Sequence, residues 1–468
     1  MRITVAAFLV AGAAAALLSP LTALAAACHP APHSNIGCEF YAVSLPNAFT
    51  DQSSYSFGIR ALNPSNATGA NLQISGGGLA STQSQPITPG SAVDIHLPWV
   101  GAISNSAATV LVTGAAYHLV SDAPISVAQF DDDSGTSASS DATLLVPVQN
   151  AGTSFMVAAW PEWEYSGGGF DEPAQVCIVA TADLTNVQID AQNIQAGAGL
   201  TATGGSVQMN AGDVLLVSST LLFSADISGT QIASDAPVIV FSAHAGTYVP
   251  SATGFADHLE DVLPSLSDLG RDYLLVRPGS PGGGTDAKQY IKLTGIVDGT
   301  NLSFDPSLGA VPATLNAGQS ATFEATADFH LVADQSILVS QVMEGSEAFI
   351  GSGIAGDPSQ LTAIPVNRAA LAMDFIAPVA FAPVFAQVIA PTGAAVVIDG
   401  SAVSGWSSIG SSGYSGANVA LCCADAHHAS ADQPFTLSVY AYPSNGGTSY
   451  WYAGGIGPSD DIFGDSFE

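Results

Sequence analysis

The chain has 468 residues, with 39 Asp plus Glu against 7 Lys plus Arg and a formal net charge of −32. That balance excludes nucleic acid and anionic lipid as partners, because phosphate contacts need a basic footprint. Yet 47% of residues are hydrophobic and only 10% charged, so the sequence describes a folded protein with a large core, not an acidic disordered segment.

Residues 1–25 read as an export signal. Met1 and Arg2 form a short positive start, an Ala/Leu/Val-rich stretch runs to about Leu18, and Ala23-Leu24-Ala25 supplies small residues at the cleavage positions. No later stretch approaches the roughly 20 apolar residues of a spanning helix, so no transmembrane helix is expected. Residues 26–36 form a linker. Within it, Ala25-Ala26-Ala27-Cys28 resembles a degraded lipobox that lacks the usual Leu three places before the cysteine, which leaves a lipid anchor at Cys28 as an alternative to plain secretion. The five cysteines are an odd set, read as a Cys28–Cys38 bridge plus one more with one thiol over, in keeping with an oxidising compartment. Adjacent Cys422 and Cys423 are expected to pair with distant partners, because a vicinal bridge strains the backbone.

Strand signals dominate from there on. Short β-branched or aromatic runs at 55–61, 155–160, 176–181, 214–218, 238–242 and 337–342 are separated by Gly, Pro, Asn, Asp and Ser. No amphipathic helix longer than about three turns is visible. The apolar stretch 361–390 is interrupted by Pro365, Pro378 and Pro383.

One phrase recurs four times: HLVSDAPISVAQF at 118–130, QIASDAPVIVFSA at 231–243, HLVADQSILVSQV at 330–342 and, more loosely, HASADQPFTLSVY at 428–440. Its aspartates, Asp122, Asp235, Asp334 and Asp432, lie 113, 99 and 98 residues apart, the mark of one structural unit made four times. Each Asp is read as a turn residue bonding nearby amides, with a core strand following. The His four places before it (His118, His330 and His428, with Gln231 in the second copy) is read as structural, since Gln replaces it once. Each copy has an upstream strand (NLQISG at 71–76, NVQIDA at 186–191, NLSFDP at 301–306, VVIDG at 396–400). Asn210-Ala211-Gly212 and Asn316-Ala317-Gly318 mark a shared turn, a role Pro89-Gly90 fills in the first copy. Downstream runs a connector (SDATLLVPV at 140–148, ADHLEDVLPS at 256–265, GDPSQLTAIPV at 356–366), expected to lead into the next unit.

The fold expected is therefore all-β: about four tandem repeats of roughly 100 residues, near 37–133, 134–246, 247–345 and 346–457, each like a β-sandwich. A large-bladed β-propeller is the alternative.

Two places carry candidate chemistry. The loop beginning Trp160-Pro161-Glu162-Trp163-Glu164-Tyr165 offers aromatic faces and carboxylates for a glycan; its bland reading is a long hairpin covering a sheet edge. Glu162 and Glu164 as a glycosidase pair is the least favoured reading, since alternate residues of an extended segment share one side. Asp131, Asp133 and Asp141 could supply oxygens to calcium, although the spacing is wrong for an EF-hand and an Asp cluster in so acidic a chain is usually a solvated turn. No nucleophile elbow, P-loop, dinucleotide fingerprint or zinc-protease motif is present.

Several separated phrases, in order, resemble the IgGFc-binding protein N-terminal domain family: GCEFYAV at 37–43, ADHLEDVLPSLSDLGRDYLLVRP at 256–278, HLVADQSILVSQVMEG at 330–345, GDPSQLTAIPV at 356–366 and QPFTLSVYAYPSNGGTSYWYAGG at 433–455. The resemblance covers about 37–457. It implies an extracellular binding or adhesion module without implying that this chain binds IgG. The acidic tail at 458–468 resembles a short ending found on various secreted Gram-negative proteins. The expectation is an exported, non-enzymatic protein that meets a glycan or protein. The alternatives are a self-associating surface or matrix component and, last, a polysaccharide hydrolase.

Overall fold

The computed structural model describes residues 34–132, 136–137, 139–164, 171–251, 254–279, 288–345, 357–442 and 448–457. The export signal, Cys28 and most of the linker, Asp133, Tyr165 and the acidic tail lie outside the described residues. Among those residues the regular secondary structure is almost entirely strand, joined by turns and loops; one short α-helix, Gly101–Ser104, and a few single 3-10 turns are the exceptions. No helix there is long and apolar enough to cross a membrane.

The second unit shows the plan. Its signature strand, Gln231–Thr247, is too long for one flat sheet and serves two. The first half pairs with Gly152–Met156 and with Thr185–Asp190, which pairs on to Gly204–Met209. The second half pairs with Ala174–Ala180 and Asp257–Leu263, with Val214–Ser218 beyond. Seven strands thus form two sheets that share one strand, which is how a corner is turned in an orthogonally packed sandwich. The order recurs around Tyr117–Phe130 in the first unit and Ala426–Ala441 in the fourth. In the third unit the signature strand is broken at the corner into Phe329–Ala333 and Ile337–Met343.

The repeated aspartate makes the corner, and its reach goes beyond its own turn. Its carboxylate crosses to the amide at or near the start of the neighbouring strand. Asn71 N–H donates to Asp122 (2.7 Å), Asn186 N–H to Asp235 (2.8 Å), Asn301 N–H to Asp334 (2.8 Å) and Ala395 N–H to Asp432 (2.8 Å). The two repeated motifs, SDAP and NLQISG, are therefore two halves of one contact. His118, His330 and His428 each bond an acid on the unit's first strand: Glu39 at 2.8 Å, Asp272 at 2.7 Å and Asp374 at 2.8 Å. The shared turn is equally regular. Gly90, Gly212 and Gly318 hold φ of 65°, 81° and 73°, a left-handed conformation that glycine adopts without strain.

The connectors correct one expectation. They close the preceding unit as its last strand: Ala142–Leu144, Asp257–Leu263, Gln360–Thr362 and, at the chain's end, Tyr450–Ala453, each paired with the second half of its own signature strand. These four closing strands touch one another in cyclic order, so the units stand as four sandwich-like blades around a pseudo-fourfold axis. Sandwich and propeller are both present, one as the unit and the other as the assembly.

Shared cores and polar ties seal the ring. Val110–Val112 of the first unit extends a sheet of the second. Lys292 of the third unit, wholly buried, donates to Asp226 of the second at 2.6 Å. Leu274 and Val276 pack with Ile389 and Ile409 between the third and fourth units. Phe130 of the first unit enters the fourth unit's core, edge-on to Tyr450 and Tyr452. Arg60, also buried, pairs with Asp94 of its own unit (3.0 Å) and Asp425 of the fourth (3.2 Å).

Candidate functional site

Each closing strand is an edge strand at the centre of the molecule. One side bonds its signature strand; the other turns N–H groups toward the axis, where a buried donor must find an acceptor. Carboxylates supply it. Asp141 accepts four backbone N–H bonds, from Ala142 (2.9 Å), Glu260 (3.1 Å), Gln360 (3.0 Å) and Trp451 (3.4 Å). By the strand registers these four donors occupy equivalent positions in the four units. Two residues along each strand in one direction, Asp257 accepts Ser140 N–H and His258 N–H (both 2.8 Å) and the Ser139 hydroxyl (2.5 Å). Two residues in the other direction, Asp261 accepts Val262 N–H (2.9 Å), Thr362 N–H and the Thr143 hydroxyl (2.6 Å). Burial pushes all three acids up: Asp261 to about 6, Asp141 well above its ordinary range against the pull of its N–H donors, and Asp257 well above it, with Asp357 adding to the push.

Beside this spine lies a second group of buried acids. Asp131 directly follows the first unit's signature strand, while His258 and Glu260 come from the second unit's closing strand. His258 Nε2 stands 3.1 Å from Asp131 Oδ2 and 3.6 Å from Glu260 Oε2, and all three side chains are fully buried. Burial raises both carboxyls well above their usual range and lowers the imidazole. Gln129 donates to Glu260 Oε2 at 3.0 Å and is itself fixed by the Val43 backbone. Nothing donates to either Asp131 oxygen or to Glu260 Oε1, and neither ring nitrogen of His258 has a hydrogen-bond partner. The Asn47 amide beside Asp131 donates to Ser139 O at 3.3 Å, and its approach to Asp131, like those of the Pro46 and His244 backbones to the ring, falls outside hydrogen-bond geometry. The donor atoms of this trio lie within 4.8 Å of one another, a spacing that can hold a metal ion.

The expected calcium set is thus divided. Asp131 and Asp141 are neighbours through their backbones, with Asp131 N–H donating to Asp141 O at 3.3 Å, but their carboxylates serve the trio and the spine separately. Asp133 lies outside the described residues.

The aromatic loop is a hairpin, with Trp163 opposite Glu172 and Glu164 opposite Asp171. Trp163 is buried, its ring 4.4 Å from that of Tyr248, and half-buried Trp160 stands edge-on to Tyr290. Glu162 is buried too. It accepts the Ser224 N–H, and burial, then a hydrogen bond with Asp171, pushes it up to about 7. Glu164 is exposed. Burial likewise raises Glu172 to about 7. Tyr165 lies outside the described residues. The bridge expected beyond Cys28–Cys38 is absent among the described residues: Cys177 is a free thiol deep in the second unit, and Cys422 and Cys423 are free and exposed in the fourth. Cys28 itself lies outside them.

A cavity of about 100 Å³ opens past the spine, lined by Leu144, Val262, Thr362 and Ala453 from all four closing strands or their ends, with Asp261 among its walls. Neither the spine nor the trio was apparent from sequence. Asp131 and Asp141 stood out singly as acids, and a further signal lay in the connectors, which also carry Asp257, Glu260, Asp261 and Asp357.

A family model described as IgGFc binding protein matches residues 141–441, from the central aspartate of the spine to the end of the fourth signature strand. No curated protein matches the chain. Among solved structures, an anti-sigma factor domain-containing protein from Clostridium clariflavum aligns over 71% of this chain and 85% of that chain, at 8% identity and a TM-score of 0.12, too low to carry an argument.

Proposed function

Since the chain belongs to the IgGFc-binding protein family, we propose that it is an exported, non-enzymatic binding or adhesion protein whose ligand is an extracellular glycan or glycoprotein. The observation that carries this reading is the division of labour in the fold. Repeated residues make the corners and turns, while the loops that differ between units are free to vary, and loops on a rigid scaffold are where recognition is usually placed. In the 160–172 hairpin, Trp163 and Glu162 anchor the loop. The surface left for a ligand is Glu164, Asp171 and the open side of Trp160. The test is a glycan and glycoprotein array probed with the mature chain and with a Trp160→Ala, Glu164→Gln variant. Selective binding lost in the variant supports the reading; flat binding by the native chain overturns it.

Self-association is the second reading, favoured by the exposed run Leu221, Leu222 and Phe223, which are 46%, 67% and 73% accessible. Ordered assembly in light scattering, abolished by Phe223→Ser, would establish it in place of the first. The carboxyls of Glu162 and Glu172, both raised to about 7, are a feature that suits a hydrolase. Polysaccharide turnover abolished by Glu162→Gln would establish that instead.

A further inference from the structure

We propose that Asp131, His258 and Glu260 bind one divalent transition-metal ion of the zinc class, and that the ion joins the first and second blades beside the axis.

Geometry is the first argument. A tetrahedral ion with bonds of about 2.1 Å sets its donors about 3.4 Å apart. The two separations from His258 Nε2, 3.1 Å to Asp131 and 3.6 Å to Glu260, bracket that value. Hydrogen bonding is the second. Fully buried polar atoms are almost always partnered, yet both Asp131 oxygens, Glu260 Oε1 and both His258 nitrogens are not, and they are gathered in one place. One cation would take a donor atom from each of the three side chains at once. Charge is the third. Two carboxylates and a neutral imidazole carry −2, which a divalent ion cancels, whereas a buried pair of acids without a cation must hold protons.

The donor set selects the class of metal. Calcium and magnesium take oxygen ligands, while a nitrogen with two carboxylates suits zinc and its neighbours. Support around the ligands is also in place. Gln129 donates to Glu260 Oε2 and is fixed by Val43 N–H and C=O, each at 3.0 Å. Metal-binding carboxylates are commonly oriented in this way. Because the site is closed, the ion is taken up as the chain folds and stabilises the folded ring. The trio uses side chains, whereas Glu260 lends its backbone N–H to Asp141 in the spine. Metal and spine would therefore hold the same strand, one through its side chains and the other through its backbone.

The experiment uses the full exported chain from zinc-replete medium. Plasma mass spectrometry after gel filtration should find about one zinc per chain. Refolding in cobalt(II) should give the visible bands of a tetrahedral nitrogen–oxygen site. His258→Gln should lose both the metal and the bands. Gln129→Ala, which leaves every ligand in place, should weaken the site about 10–100-fold against a competing chelator. If the ligand variant fails to fold, the native chain decides alone. A folded native chain without stoichiometric zinc, and without cobalt bands on refolding, overturns the proposal and leaves a cluster of protonated acids. Retention of calcium but not of zinc or cobalt overturns it as well.

Discussion

Replacing Asp141 by Asn tests whether one carboxylate holds the ring. Its Oδ1 receives Ala142 and Trp451 N–H, and its Oδ2 receives Glu260 and Gln360 N–H. An amide of the same shape keeps one acceptor and turns an NH₂ group toward the other two donors. It would surrender the weaker pair, the one that includes the 3.4 Å contact to Trp451. Two buried N–H groups without an acceptor cost about 1–3 kcal/mol each, or roughly 2–6 kcal/mol together. Removing a charge that burial disfavours offsets part of this, so the expected net loss is about 2–4 kcal/mol. Urea unfolding followed by tryptophan fluorescence reads it, since Trp451 sits fully buried in a closing strand. Exposed Glu164→Gln should stay within about 0.5 kcal/mol as a control. Hydrogen exchange adds a sharper measurement: amides 142 and 451, far apart in sequence, should lose protection together. A loss under about 1 kcal/mol with both amides still protected, or faster exchange at Ala142 alone, would refute a clamp shared by the blades.

Three further outcomes follow from the same geometry. Asp235→Ala removes the acceptor for Asn186 N–H and Nδ2, so the Asn186 amide should exchange faster while the axis is unaffected; an unchanged rate would contradict the cross-strand role. Asn186 also holds Asp235 below its ordinary pKa. A depressed folded pKa means that this contribution is present above the unfolded value of about 3.9 and fades as pH falls through the folded one, so native and variant chains should converge in strong acid. Glu162 works in the opposite sense. Its folded pKa of about 7 exceeds its unfolded value of 4.5, so its contribution is full below the unfolded value and is lost as pH rises through neutrality. The hairpin should become more protease-sensitive between about pH 5 and pH 8, and Glu162→Gln should flatten that dependence. For the cysteines, Cys422 and Cys423 should react with a thiol reagent in the native chain, and Cys177 only after unfolding. A Cys28–Cys38 bridge leaves these three as the whole reduced set, whereas five reactive thiols would refute that pairing.

The repeat made the fold legible because corner chemistry is local and recurs. Asp122, Asp235, Asp334 and Asp432 stand at equal places, and Gly90, Gly212 and Gly318 mark equal turns, so unit number and strand content could be read from spacing. Partnership could not. Nothing in SDAP says that its carboxylate reaches Asn71 or Asn186 about half a unit away, and nothing in a connector says on which side of a unit boundary it pairs. Sheet pairing is decided by contacts between residues distant in sequence. The aromatic loop was visible as composition, but whether Trp163 faces solvent or Tyr248 depends on a segment some 85 residues later, just past the end of the signature strand. The acids at 131 and 141 stood out for their type, and His258 and Glu260 did not, because the trio assembles only when two blades meet.

That difference has a physical cause at the axis. Four equivalent strands offer equivalent N–H groups, yet the positions facing them are not equivalent in sequence: Asp141 corresponds by register to Leu259, Ser359 and Tyr450, and Asp261 to Thr143, Leu361 and Tyr452. A faithful repeat would place four carboxylates within a few ångströms of one another in a buried site, where like charges repel by several kcal/mol per pair even at an effective dielectric constant near 20. One carboxylate can serve all four donors; four could not share the space. Backbone symmetry therefore demands side-chain asymmetry at the centre, and the connectors must diverge most where the units are most closely joined. Restoring the repeat with Ser359→Asp, which sets a second acid opposite Asp141, should weaken the ring at neutral pH and weaken it less in acid, as the added group takes up a proton. If that variant is as stable as the native chain at neutral pH, then crowding of charge is not what broke the symmetry.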